Sequence, residues 1–122
     1  MKTVIAGSRI FENPKDASEV LKLIEDCPIS FEITEVVSGT AKGVDRIGEF
    51  WANTGGIPVK QFRADWNTHG RAAGPIRNEE MAKYADACIV IWDGKSKGSS
   101  NMIKNALKHK LKLYTYIIDE ET

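Results

Sequence analysis

The chain has 122 residues, a length that fits one domain spanning residues 1–122 rather than two. Lys and Arg together number 17, Asp and Glu also 17, so the formal net charge is zero. That balance removes the attraction that supplies most non-specific nucleic-acid affinity, and no apolar run approaches the ~20 residues of a membrane helix.

Thr3-Val4-Ile5-Ala6 is a short apolar run ending at Gly7-Ser8-Arg9, and it reads as a buried strand. It is too short for the apolar region of a signal peptide. Asn13 followed by Pro14 reads as a helix cap and first position, and Ala17, Val20, Leu21 and Ile24 recur at helical spacing up to Cys27 and Pro28. Ile33 to Val37 reads as a second strand. A second helix follows the loop 38–43, with Val44, Ile47 and Trp51 inward and Asp45, Arg46 and Glu49 outward.

Gly55-Gly56 ends that helix. Ile57 to Phe62 is a third strand, placed at a sheet edge by Pro58. Arg63 to Gly74 has no periodicity, and a loop of that length in a compact domain is usually functional. Pro75 opens a third helix running to Tyr84, and Asp86 to Trp92 is a fourth strand containing a core thiol, Cys88. Cys27 and Cys88 have neither a disulfide-framework pattern nor metal-ligand spacing, which fits a reducing, cytoplasmic compartment. A loop from Asp93 to Ser100 precedes a fourth helix reaching about Lys110, with Ile103, Ala106 and Leu107 inward, and Leu113 to Ile118 is a fifth strand. Strands alternating with helices predict an α/β fold: a single Rossmann-like three-layer domain on a mostly parallel five-stranded sheet.

In such a sheet ligands bind beyond the carboxyl ends of the strands, where strand order reverses. The exits of strands one, two and four are rich in small polar residues: Gly7, Ser8 and Arg9; Ser38, Gly39, Thr40, Lys42 and Gly43; Gly94, Gly98, Ser99 and Ser100. Glycine permits close backbone approach, and a following helix N-terminus offers N–H groups to an anion. Three such loops on one edge predict a pocket for a phosphate-bearing ligand. The G-x-x-x-x-G-K-[ST] and G-x-G-x-x-G signatures are both missing, which argues against a P-loop NTPase and an ordinary NAD-dependent oxidoreductase.

Gly7-Ser8-Arg9, the run Val37 to Asp45, Asp65-Trp66 and the block Gly70-Arg71-Ala72-Ala73-Gly74-Pro75-Ile76-Arg77-Asn78 resemble the SLOG superfamily, most closely its YspA-related (cpYpsA-related) branch. The resemblance covers nearly the whole chain in order. It implies a Rossmann-like fold and a nucleotide-type pocket within a superfamily that includes cytokinin-activating phosphoribohydrolases, the DNA-processing protein DprA and sensors of nucleotide second messengers. It fixes no single activity.

Residue by residue, Arg77 and Asn78 open a helix, where a guanidinium suits a phosphate; a structural ion pair with Glu79 or Glu80 is the alternative. Arg71 and Arg9 either reach the ligand or lie on the rim. Ser8 and Thr40 contact ligand or cap helices. Asp45 favours the helix dipole, holds a ribose hydroxyl, or both. Trp66 and Trp92 are both candidates to stack on a base, Trp66 the better one because Trp92 ends an apolar strand and reads at least equally as core. Trp51 reads as core, and His69 is an acid or base or, more ordinarily, a solvated loop residue.

The phosphoribohydrolase signature P-G-G-x-G-T-x-x-E aligns with Trp92 to Met102. Gly98-Ser99 takes the Gly-Thr place and Met102 the glutamate position. A thioether does no acid–base work, although Asp93, Asp65 or Glu79 are possible substitutes. The expectation is a stand-alone binder, sensing or sequestering an ADP-ribose-like or cyclic nucleotide, with no metal or separate cofactor and no membrane contact. A nucleotide N-glycosidase or phosphoribohydrolase is the alternative, and DprA-like single-stranded DNA binding is disfavoured by the zero net charge. Apolar Phe50 beside Trp51, and Met102 beside Ile103, together with the assemblies common in the superfamily, point to a homo-oligomer.

Overall fold

The computed structural model describes residues 1–9 and 14–118. Five strands, β1 (Lys2–Gly7), β2 (Glu35–Ser38), β3 (Val59–Gln61), β4 (Ala87–Trp92) and β5 (Lys112–Ile117), form one sheet in the order β3-β2-β1-β4-β5. Every pairing is parallel, with Val4 opposite both Val37 of β2 and Cys88 of β4. Between the strands run α1 (Pro14–Asp26), α2 (Val44–Thr54), the single turn α3 (Trp66–His69), α4 (Ala73–Tyr84) and α5 (Lys97–Lys108).

The central strands are apolar on both faces because helices cover both. Ile5, Val36, Ile89 and Ile91 pack with Val20 and Ile24 of α1 and Val44 and Ala52 of α2. Val4, Ala6, Val37, Cys88 and Val90 point the other way, onto Met81 and Ala82 of α4 and Met102 and Ala106 of α5. Ile5, Ile89 and Ile91 are fully buried, each contributing roughly 1.5–3 kcal/mol by leaving water. The expected three-layer Rossmann-like fold is present, with the sheet wholly parallel and β3 at one edge, next to Pro58.

Several boundaries and faces differ from the sequence expectation. A 3-10 turn, Ser30–Glu32, occupies the approach to β2, so the strand starts at Glu35. The stretch from Arg63 to Gly74 is not all loop. Asp65 caps α3 by accepting the Thr68 N–H at 3.1 Å, and a second 3-10 turn follows at Gly70–Ala72. The next helix starts at Ala73, two residues before Pro75, because a proline in a first turn forfeits no intrahelical bond.

In α5 the buried stripe is Ser99, Met102, Asn105 and Ala106, while Leu107 is 63 % exposed. The stripe is centred on Met102 rather than Ile103, which turns Leu107 outward. Met102 is therefore core, and its share of the argument for self-association disappears; Phe50 does stand exposed. Asp45, expected on the outer face of α2, is only 4 % exposed. The Asn13 cap falls outside the described residues. Among the described residues no helix is long and apolar enough to cross a membrane.

Candidate functional site

Strand order reverses between β1 and β4, since α1 leaves β1 on one face and α5 leaves β4 on the other. A cleft of about 350 Å3 opens there, lined by Gly7, Ser8 and Arg9 after β1, Ala41 and Asp45 before and within α2, Arg77, Asn78 and Met81 of α4, and Asp93 with Ser96 to Ser99 after β4. A second cleft of about 620 Å3 lies beside it, sharing Arg9, Ala41 and Arg77 and adding Gly39, Thr40, Lys42, Arg63, Ala64 and Trp66.

Ser8 ties the β1 exit to its neighbours. Its N–H donates to the Ile91 carbonyl (3.2 Å), its carbonyl accepts from Val44 N–H (3.1 Å), and its hydroxyl oxygen accepts from Asp93 N–H (3.0 Å). Gly7 and Gly43 make this closeness possible. A Cβ on Gly7 would stand 1.8 Å from the Ile91 oxygen, and one on Gly43, at φ +80°, 2.3 Å from the Ser8 oxygen. Neither Ser8 nor Thr40 caps α2, whose N-cap is Gly43 without a side-chain bond.

The loop after β2 folds around side chains of its own chain. Ala41 N–H donates to Asp45 Oδ2 at 3.2 Å, and Thr40 N–H to Ser38 Oγ at 3.1 Å. Ser38 in turn donates to Glu49 Oε2 at 2.6 Å. Burial raises Asp45 to about 6, against the pull of the Ala41 N–H, Arg77 and the Gly7 N–H, with Glu49 pushing the same way as burial. Arg77 donates from Nη1 to the Gly39 carbonyl (2.6 Å) and from Nε to Asn78 Oδ1 (3.0 Å). These bonds fix the plane of its guanidinium and use two of its five N–H donors. Burial, followed by Arg9, depresses its pKa, while Asp45 opposes the change.

Asn78 passes the connection to α5, donating from Nδ2 to Asn101 Oδ1 (2.9 Å) and the Gly98 carbonyl (3.3 Å). At the β4 exit, Asp93 Oδ1 accepts the N–H groups of Lys95 and Ser96, both at 2.9 Å, and these bonds hold its carboxyl below the usual range. Ser96 is the N-cap of α5, its hydroxyl accepting from Ser99 N–H at 3.4 Å. The helix thus opens into the first cleft at Lys97 and Gly98, and the first N–H groups of a helix have no partner within it.

Of the residues expected to bind ligand, Gly7, Ser8, Arg9, Asp45, Arg77, Asn78, Gly98 and Ser99 line the first cleft, and Gly39, Thr40, Lys42 and Trp66 the second. Ser38, Gly43, Arg71, Gly94 and Ser100 line neither. Ser38 is engaged with Glu49, Gly43 is packed on Ser8, and Arg71 is exposed on its 3-10 turn. Gly94 turns at φ +80° and Ser100 lies inside α5.

Ser96 and Lys97, which are not among the expected site residues, line the first cleft because α5 begins at Lys97 rather than after Ser100; Ser96 three residues before Ser99 is the signal in the sequence. Arg63, which lines the second, has no motif around it. Trp51 and Trp92 pack against the two cores as expected, Trp51 also donating to Glu25 at 2.8 Å. Of the carboxylates considered for catalysis, Glu79 pairs with Lys108 (2.6 Å) and His109 (3.3 Å), and Asp65 caps α3; neither lines a cleft. Asp45 and Asp93 do. Among the described residues no group of three His, Cys, Asp or Glu is placed to hold a metal ion.

Comparison with known proteins places these features in a family. A family model described as YspA, cpYpsA-related SLOG family matches residues 1–69. The Gene 61 protein of Mycobacterium phage D29 is 32% identical over 117 residues, covering 88% of this chain and 89% of that protein. In structure, the chain is similar to DNA processing protein A (DprA) from Streptococcus pneumoniae, with a TM-score of 0.70 at 19% identity over 93% of this chain. It spans about half (49%) of that DprA chain, and the likeness is one of fold. On the family match and the phage relative together, the chain belongs to the YspA, cpYpsA-related SLOG family.

Proposed function

We propose that the cleft between β1 and β4 binds a phosphate-bearing nucleotide derivative, ADP-ribose-like or cyclic, and holds it rather than turning it over. The observation that carries this reading is the shared lining of the cleft by the fixed guanidinium of Arg77 and the open N-terminus of α5. A planar cation and a row of backbone N–H groups are complementary to phosphate oxygens, and the sheet's reversal point is where such folds take ligands. Family membership fits a nucleotide-related role. Met102, buried at the position of the phosphoribohydrolase glutamate, supplies no acid or base.

The direct test is native mass spectrometry of freshly purified protein, followed by calorimetric titration with ADP-ribose, cyclic mononucleotides and nucleoside monophosphates. At least one of them should bind with micromolar affinity. Absence of binding across that panel overturns the reading.

Asp45 favours a second reading, a nucleotide N-glycosidase. It lines the cleft, and burial places its pKa at about 6, near the pH at which a general acid or base works best. Water would add to C1′ of the ribose while the base departs with a proton. Release of free base from nucleoside monophosphates, abolished in Asp45→Asn, is the outcome that supports it. DNA as the ligand, a reading suggested by the similarity to DNA processing protein A, has the zero net charge against it.

A further inference from the structure

Resting on the binding reading above, we infer that the ligand has two parts: a nucleoside whose base stacks on Trp66 in the second cleft, joined through a diphosphate at Arg9 and Arg77 to a second polar group in the first.

The two clefts are adjacent, sharing Arg9, Ala41 and Arg77 in their linings, and each falls within the volume range of small-molecule sites. Their linings differ in chemistry. Besides Arg9 and Arg77, which both clefts share, the first offers Lys97, hydroxyls, backbone N–H groups and two carboxylates, Asp45 and Asp93, a mixed set suited to a sugar and a single phosphate. The second has four cations, Arg9, Lys42, Arg63 and Arg77, and no carboxylate among its lining residues. A monoanion in the first cleft can meet Arg9 and Arg77 but leaves Lys42 and Arg63 unanswered, whereas a diphosphate reaching across the shared boundary brings negative charge to both pairs.

Trp66 supplies the aromatic platform. It is 53 % exposed, an unfavourable state for so large an apolar surface, yet it is not a loose side chain. It begins the capped turn α3, and its Cη2 lies against Gly74, where a Cβ would come within 3.5 Å. A Cβ there would only touch the indole, so the ring rests beside the start of α4 without depending on glycine.

The loop opposite carries backbone strain. Thr40, a β-branched residue, has φ +64° and is held there by the bond from its N–H to Ser38 Oγ. The strained residue lines the second cleft. A cyclic mononucleotide has one phosphate and one sugar, so it fills one cleft and leaves either the platform or the α5 N-terminus unused.

The test is calorimetric titration of wild type, Trp66→Ala and the double variant Lys42→Ala/Arg63→Ala with ADP-ribose, UDP-glucose, cyclic AMP and ribose 5-phosphate, each protein being checked by thermal unfolding. ADP-ribose or UDP-glucose should bind at least 10-fold tighter than ribose 5-phosphate and cyclic AMP. Trp66→Ala should weaken the preferred two-part probe roughly 10- to 100-fold, the range for loss of one base–aromatic stack, and leave ribose 5-phosphate unchanged. The double variant should weaken the same probe and spare ribose 5-phosphate.

If ribose 5-phosphate or cyclic AMP binds as tightly as the two-part probes and Trp66→Ala changes nothing, the two-part ligand is overturned while phosphate binding in the first cleft stands. If none of the four probes binds, the functional reading falls and this inference with it. Trp66-dependent, steeply salt-sensitive binding of a deoxythymidine oligonucleotide, without binding of either two-part probe, overturns the inference in favour of a nucleic-acid strand.

Discussion

The loops after β2 and β4 look alike in sequence, each short, polar and glycine-bearing before a helix, and the structure uses them in opposite ways. After β2 the chain supplies its own anion. The Asp45 carboxylate takes the Ala41 N–H, Arg77 takes the Gly39 carbonyl, and Ser8 takes the first N–H of α2. After β4 the Asp93 carboxylate and the Ser96 hydroxyl are spent on shaping the turn, which leaves the N-terminus of α5 opening into the cleft. A glycine-rich loop before a helix is therefore ambiguous until the neighbouring carboxylates are located. The first of these loops is closed by its own chain, whereas the second, with Ser99 N–H capped by Ser96, still presents Lys97 and Gly98 to the cleft.

The largest expected effect comes from a methyl group added to the closed loop. Gly43→Ala places a Cβ 2.3 Å from the Ser8 oxygen on a backbone at φ +80°, so both sterics and dihedral oppose it. A loss of about 3 kcal/mol or more in chemical denaturation is expected, in the range reserved for backbone strain and overpacking. A loss below about 1 kcal/mol would mean that the β1 and β2 exits are not locked together as described.

The two carboxylates of the first cleft should respond to pH with opposite signs. Asp45 has its folded pKa raised from 3.8 to about 6, so the folded state binds the extra proton between those values. Its contribution to stability is full below about pH 4 and is lost as pH rises through about 6, by roughly 3 kcal/mol from the size of the shift. Asp45→Asn should abolish that slope in denaturation profiles taken between about pH 4 and pH 7. A slope equal to wild type in the variant would assign the titration to another group.

The sequence made the frame legible for a physical reason. Strands buried on both faces read as unbroken apolar runs, so β1 and β4 stand within a residue or two of their expected bounds. Helices with one buried stripe, such as α1, show their period. The closed β2 loop was not legible, because it depends on a contact between Gly39 and Arg77, 38 residues apart, and on a carboxylate turned inward at a helix start where outward is usual. Trp66 was singled out by its isolation among polar residues. Its support against Gly74 depends on a four-residue helix too short to show periodicity, although Asp65 three residues before Thr68 marks the cap. Arg63 had no local signal, and only the fold brings it beside Trp66 and Lys42.

The smallest effects should come from the open loop, and they sharpen the contrast. Asp93→Ala removes an acceptor of two backbone N–H groups, for an expected loss of about 1 kcal/mol at neutral pH. Because the folded pKa of Asp93 lies below 3.8, its contribution is present above that value and is lost as pH falls further, the reverse of Asp45. Gly98→Ala should cost nothing. No atom lies within 4 Å of the added Cβ, and alanine in a first helical turn gains up to about 1 kcal/mol over glycine. Gly98 nonetheless lines the first cleft, so on the proposed function titration with whichever nucleotide probe binds wild type should show weaker binding in a protein at least as stable. Weaker binding together with a loss of stability would mean that the β4 loop, like the β2 loop, is closed upon itself.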